Sequence, residues 1–280
     1  MAEYTFFTRD DSGRFLPTEM AQSLWGPDSL NGPAVCGLAA HSVECEHGRD
    51  GWRPARFTIE LFKNARRLPT TVRTRVERSG GRILVVAFAI VQHDDDSADS
   101  GESLVAQGMT VFLKEGVSPP GARWSQPESE RTFFPPEVDA GDGTPRFGGP
   151  DGWSSSMAGQ QQAHRHRMWS RPIAVIPDAA LTAFQRAVIA GESTSLMTNW
   201  GEGGIGFINC DLTVALARLP EGDRVGVEAT SHLEADGIGV GSAALFDTHG
   251  QFGLGTVTAV ENSRAFIDFA ENPQAPGWTT

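Results

Sequence analysis

Two polar residues stand out because of the patterns they interrupt. Leu181, Phe184, Val188, Glu192 and Leu196 recur at spacings of three and four, which places them on one face of a helix. That face is apolar except at Glu192. A carboxylate on a core-facing stripe is costly to ionise without partners, so it is either at the rim of the core or functional. After the glycine-rich stretch Gly201–Gly206 the period changes to two. Ile208, Cys210, Leu212, Val214 and Leu216 point one way, and Asn209, Asp211 and Thr213 point the other, as in a strand with a polar edge. A helix carrying one carboxylate, followed by a strand carrying one amide, is the unit that could hold a reactive site.

Other chemistries find less support. No Gly-x-Ser-x-Gly occurs, which removes the nucleophile elbow. His164-Arg165-His166 has no suitably spaced Cys, Asp or Glu beside it, so no metal site is expected. Asp94–Asp96 reads as a solvated turn. Cys210 shares a face with Ile208 and Leu212 and reads as core rather than as a nucleophile. With Cys36 and Cys45 it makes an odd count of three, expected to be reduced, mostly buried thiols in a cytoplasmic protein.

The elements that must position Glu192 and Asn209 follow from the rest of the chain. Its 280 residues, 39% hydrophobic and 21% charged, suit a soluble globular protein. A net charge of −12 disfavours nucleic acid and anionic membrane surfaces as partners. No apolar run is long enough to span a membrane, and the start lacks the pattern of a signal peptide. A helix is expected over Ala34–Glu44, with Pro33 at its first position. Strands are expected over Ala55–Phe62, Thr71–Arg78, Arg82–Gln92 and Leu104–Leu113. From Glu115 to Arg171 Pro, Gly, Ser and Gln dominate, and Val117–His164 is expected to lack regular structure, with Trp124 and Trp153 available to cover a site. A second helix is expected over Ala179–Met197, capped by Asp178. Strands follow over Ile205–Arg218, Arg224–Leu233, Ile238–Phe246 and Phe252–Val260.

The second half repeats the first. Thr58-Ile59-Glu60-Leu61 through Arg67-Leu68-Pro69 matches Asn209-Cys210-Asp211-Leu212 through Arg218-Leu219-Pro220 at a constant offset of 151. Glu60 and Asp211 then hold equivalent positions, as structural carboxylates expected to pair with Arg67 and Arg218. Two copies of a helix on an antiparallel sheet make an α+β fold: an N-terminal unit over residues 1–115, an excursion over 116–171 and a C-terminal unit over 172–280.

One helix wrapped by a curved antiparallel sheet, duplicated in one chain, is the double-hotdog arrangement. The stretches LNGPAVCGLAAHSVE, RPARFTIELFKNARRLP and FINCDLTVALARLPEGDRVGVEATSHLEADGIGVGSAALFDTHGQFG resemble the thioesterase II-like acyl-CoA thioesterases, especially their actinobacterial branch. That resemblance implies hydrolysis of fatty acyl-CoA to free acid and coenzyme A, with no cofactor and a homo-oligomer as one possible assembly. The family uses an Asp on the second helix, a Thr on the following strand and a Gln on the last strand. Here those positions hold Glu192, Asn209 and Thr258, with Glu192 implied as general base. Because all three differ, a protein that binds acyl thioesters without hydrolysing them is the alternative. The hotdog hydratases rank last, because neither helix carries their spaced Asp and His.

Overall fold

The computed structural model describes residues 4–94, 101–128, 131–177 and 179–271. The chain opens with the hairpin β1 (Phe7–Arg9) and β2 (Phe15–Pro17), then the short pair β3 (Gln22–Ser23) and β4 (Gly26–Leu30). Helix α1 (Gly32–His47) starts at Asn31, whose side-chain oxygen accepts from the Ala34 N–H, with Pro33 in the first turn. Four strands follow: β5 (Trp52–Leu61), β6 (Thr70–Ser79), β7 (Ile83–Asp94) and β8 (Gly101–Lys114). Three short ones come next, β9 (Arg146–Gly149), β10 (Gly152–Ser154) and β11 (Arg167–Ser170). Helices α2 (Ala183–Glu192) and α3 (Thr194–Asn199) lead to β12 (Trp200–Gly201), β13 (Gly204–Ile205), β14 (Phe207–Asn209) and β15 (Asp211–Leu216). The chain continues through β16 (Val225–Ala235), β17 (Ile238–Asp247) and β18 (Gly250–Glu261).

One sheet carries both halves. Its order runs β1-β2-β6-β7-β8-β5-β15-β18-β17-β16-β11-β9-β10, with β14 paired to β18. The first unit, β6-β7-β8-β5, meets the second, β15-β18-β17-β16, in mirrored order, and the seam is the antiparallel pair β5·β15. Glu60 lies directly opposite Asp211 across it. An antiparallel pair of equivalent residues is what an internal two-fold axis requires, so the sequence offset is realised as symmetry. The helix caps Asn31 and Thr182 obey the same offset. The fold is the double hotdog, a continuous curved sheet with its helices on one face.

Packing explains why the helices lie where they do. Residues from Ala34 to His41 of α1 are all buried, so this helix is apolar around most of its girth and must be enclosed. It meets α2 closely where Gly37 faces Ile189, and a Cβ at residue 37 would come 2.8 Å from the Ile189 side chain. Phe57, at the seam, stacks on Phe88 at 5.3 Å and meets Phe184 of α2 edge-on at 6.4 Å. The two units therefore share one core.

Several expectations change. The second helix begins at Ala183, with Thr182 accepting from the Gln185 N–H as its cap; the expected cap Asp178 lies outside the described residues. It is also interrupted at Ser193, so Glu192 ends α2 instead of lying mid-helix. The expected strand 205–218 is broken into three, and the alternation slips at Cys210, leaving Ile208 and Cys210 exposed while Leu212, Val214 and Leu216 stay buried. Cys45 is exposed too, so only Cys36 of the three thiols is buried. Arg67 and Arg218 pair with Glu19 and Asp247, not with Glu60 and Asp211. The excursion is not structureless throughout: β11 joins β16, and β9 joins β11, because Phe147, Met168 and Trp169 supply buried apolar side chains. Asp94 ends β7 and faces Arg66 at 3.7 Å, while Asp95 and Asp96 lie outside the described residues.

Candidate active site

Glu192 is brought to the first turn of α1. Its carboxyl lies so close to Gly32 that a Cβ built there would fall 1.9 Å from Oε1 and 2.9 Å from Oε2. The residue is 8% exposed. Burial raises its pKa from 4.5 to about 8, and a hydrogen bond from the Asn209 side chain opposes part of that rise. The Asn209 amide also reaches the Asp211 carbonyl at 3.4 Å, a long contact that leaves it free to serve the carboxyl. Cys36, one turn along α1, is held as a neutral thiol by burial and by the nearby Glu192. The site is thus a protonatable carboxyl, an amide and the open end of a helix. Pro33 has no N–H and Asn31 caps Ala34, so the Gly32 N–H is the first-turn donor left beside the carboxyl without an intrahelical acceptor.

These groups open onto a cavity of about 580 Å³ whose lining includes Asn31, Gly32, Glu192, Asn209 and Cys210. Its rim holds exposed Leu24, Phe62 and Lys63, and its buried wall includes Phe147, Phe269 and Val105. The excursion therefore does cover the site, but through Phe147 and Met157. Trp124 is exposed, and Trp153 packs on Phe133 and under the Arg167 guanidinium. Behind Phe147 and Phe269 lies Trp200, on which His166 stacks at 4.4 Å. Burial and the neighbouring His164 lower the His166 pKa to about 4, so this ring is neutral near pH 7.

This geometry joins a family match. Residues 116–258, just over half of the chain, match the model of the acyl-CoA thioesterase C-terminal domain. The chain belongs to this family. The matched region takes in the excursion as well as α2, α3 and β12 to most of β18, and it does not single out the actinobacterial branch. Among curated proteins the sequence finds no match. Several solved structures share the fold. A tesB protein of Mycobacterium avium subspecies paratuberculosis is 16% identical, with a TM-score of 0.59 over 89% of this chain and 92% of that one. An acyl-CoA thioesterase II from Mycobacterium marinum is 13% identical, with a TM-score of 0.56 over 82% and 89%. A hot dog fold protein of unknown function from Alicyclobacillus acidocaldarius is 14% identical, with a TM-score of 0.60 over 91% and 95%. At these identities the likeness is one of fold.

Of the three site residues expected from the sequence, the structure brings Glu192 and Asn209 together and leaves Thr258 apart. Thr258 alternates with buried Val257 and Ala259 on β18, and its N–H and hydroxyl donate to Asp211 at 2.5 and 3.3 Å. It is not among the residues lining the cavity. Thr258→Val is therefore expected to change hydrolysis by less than about threefold, since it removes only a part-buried hydrogen bond to Asp211. A loss of a hundredfold in kcat/KM would show that Thr258 reaches the substrate. Sequence reasoning missed the neighbour that matters most, Gly32. Asn31-Gly32-Pro33 signals a helix start, but nothing in it announces a carboxyl arriving from the other repeat.

Proposed function

We propose that the protein hydrolyses acyl-CoA thioesters, with Glu192 as general base and without a covalent intermediate. The observation that carries this reading is the buried Glu192 carboxyl, held against the N-terminus of α1 at the wall of a largely apolar cavity. The ionised carboxyl takes a proton from a water as the water oxygen attacks the thioester carbonyl carbon. Negative charge gathers on the carbonyl oxygen, where the Gly32 N–H and the positive end of α1 stabilise it. Asn209 orients the water or the carboxyl. Collapse of the tetrahedral species breaks the C–S bond, and the departing thiolate takes the proton from Glu192, giving free acid and coenzyme A. The apolar wall around Phe147 and Phe269 supports an acyl group as the buried part of the substrate.

A binding-only reading draws on Thr258, which lies away from the cavity and so leaves one of the family's three positions without a counterpart there. The two readings separate in one assay. Release of free thiol from acyl-CoA of several chain lengths is expected for the hydrolase, and its absence at every length would leave binding alone.

A further inference from the structure

Only three titratable side chains line the cavity among the described residues: Glu192, Cys210 and Lys63. Lys63 is one of two lysines in a chain of net charge −12, and it stands exposed at the rim. Its loop is fixed. The Phe62 and Lys63 N–H groups both donate to the Val105 carbonyl, at 2.9 and 3.3 Å. Asn64 donates to the Ser29 hydroxyl at 2.6 Å, and the Leu30 N–H donates to the Ala65 carbonyl at 2.7 Å. The ammonium donates to the Ser103 hydroxyl at 3.2 Å, and among the described residues no carboxylate lies within ion-pair distance of it.

We infer that Lys63 holds a phosphate at the far end of the thiol carrier's pantetheine arm. This rests on the thioesterase reading and deepens it. An anionic carrier approaching a strongly acidic protein is repelled unless a local cation offsets the field. The loop supplies that cation on a fixed backbone, and among the described residues only one of its three N–H donors is engaged, by Ser103. The exposure gradient sets the orientation: the phosphate stays at the wet rim by Lys63, and the acyl group reaches the buried wall at Phe147 and Phe269. The phosphate is shared by coenzyme A and 4′-phosphopantetheine, whereas pantetheine lacks it.

Equilibrium binding of these three thiols to the full chain tests the inference without needing turnover. Lys63→Gln is expected to weaken coenzyme A by about threefold to tenfold at low ionic strength, and Lys63→Glu by more. Lys63→Arg should restore most of the affinity. Pantetheine, which has no group for Lys63 to hold, should bind all variants alike. A loss shared by coenzyme A and 4′-phosphopantetheine supports the inference, whereas a loss confined to coenzyme A, or no loss for either, overturns it. The inference is overturned if the parent binds coenzyme A no better than pantetheine, or if all three thiols lose affinity equally. A parent that binds coenzyme A through Lys63 yet releases no thiol would sink hydrolysis and leave the phosphate anchor standing.

Discussion

Glu192→Gln is expected to lower kcat/KM for thioester hydrolysis by about a hundredfold to ten-thousandfold, because it keeps the size of the side chain and removes its basicity. The same substitution has a second signature in stability. In the folded chain the carboxyl keeps its proton up to about pH 8, whereas its ordinary value is 4.5. The stability that the protonated group contributes is complete below pH 4.5 and is lost as pH rises through 8. An amide does not titrate. The Gln variant should therefore be more stable than the parent at pH 8 to 9, by on the order of a few kcal/mol, and nearly equal to it at pH 4. Denaturant unfolding at the two pH values measures this. Parent and variant with parallel pH dependence would mean that the carboxyl is not buried as described.

Gly32→Ala is the second large effect, and it removes no functional group. A methyl at residue 32 would overlap the Glu192 carboxyl, with Oε1 at 1.9 Å and Cδ at 2.3 Å. The clash falls on the end of a flexible side chain, so the fold survives by swinging Glu192 away. Hydrolysis should then fall by about a hundredfold or more, since a misplaced base loses most of its effect. The thermal midpoint should hold or rise slightly, because Ala is the better helix former by up to about 1 kcal/mol. A Gly32→Ala variant that hydrolyses acyl-CoA at the parental rate would place the base elsewhere. One that is inactive only because it is unfolded would show it in the melting curve.

Much of this arrangement is legible in the sequence because it is local or repeated. The stripe through Phe184, Val188 and Glu192 follows from helical spacing, and Glu60 opposite Asp211 follows from a repeat whose offset is constant. The double hotdog needs little more than those two facts. What is illegible depends on backbone irregularity or on distant contacts. The break at Ser193 and the slip at Cys210 each reset a period that the residue types alone would continue. That slip turns Cys210 outward to the cavity and leaves Leu212 in the core. Thr258 enters the site through the resemblance alone; on β18 its hydroxyl donates to Asp211. Phe147 lies in a stretch of Gly, Pro and Ser, where one aromatic residue carries no period, and it finds its place only because β9 pairs with β11.

If the buried Glu192 carboxyl must lose its proton to drive hydrolysis, the pH dependence of kcat/KM for thiol release from acyl-CoA will show it. This quantity reports the ionisation of the free enzyme. The rate should climb about tenfold per pH unit through neutral pH and level off above a midpoint near pH 8, with the midpoint absent in Glu192→Gln. A profile that is flat from pH 6 to 9, or a midpoint that persists unchanged in the Gln variant, would contradict it.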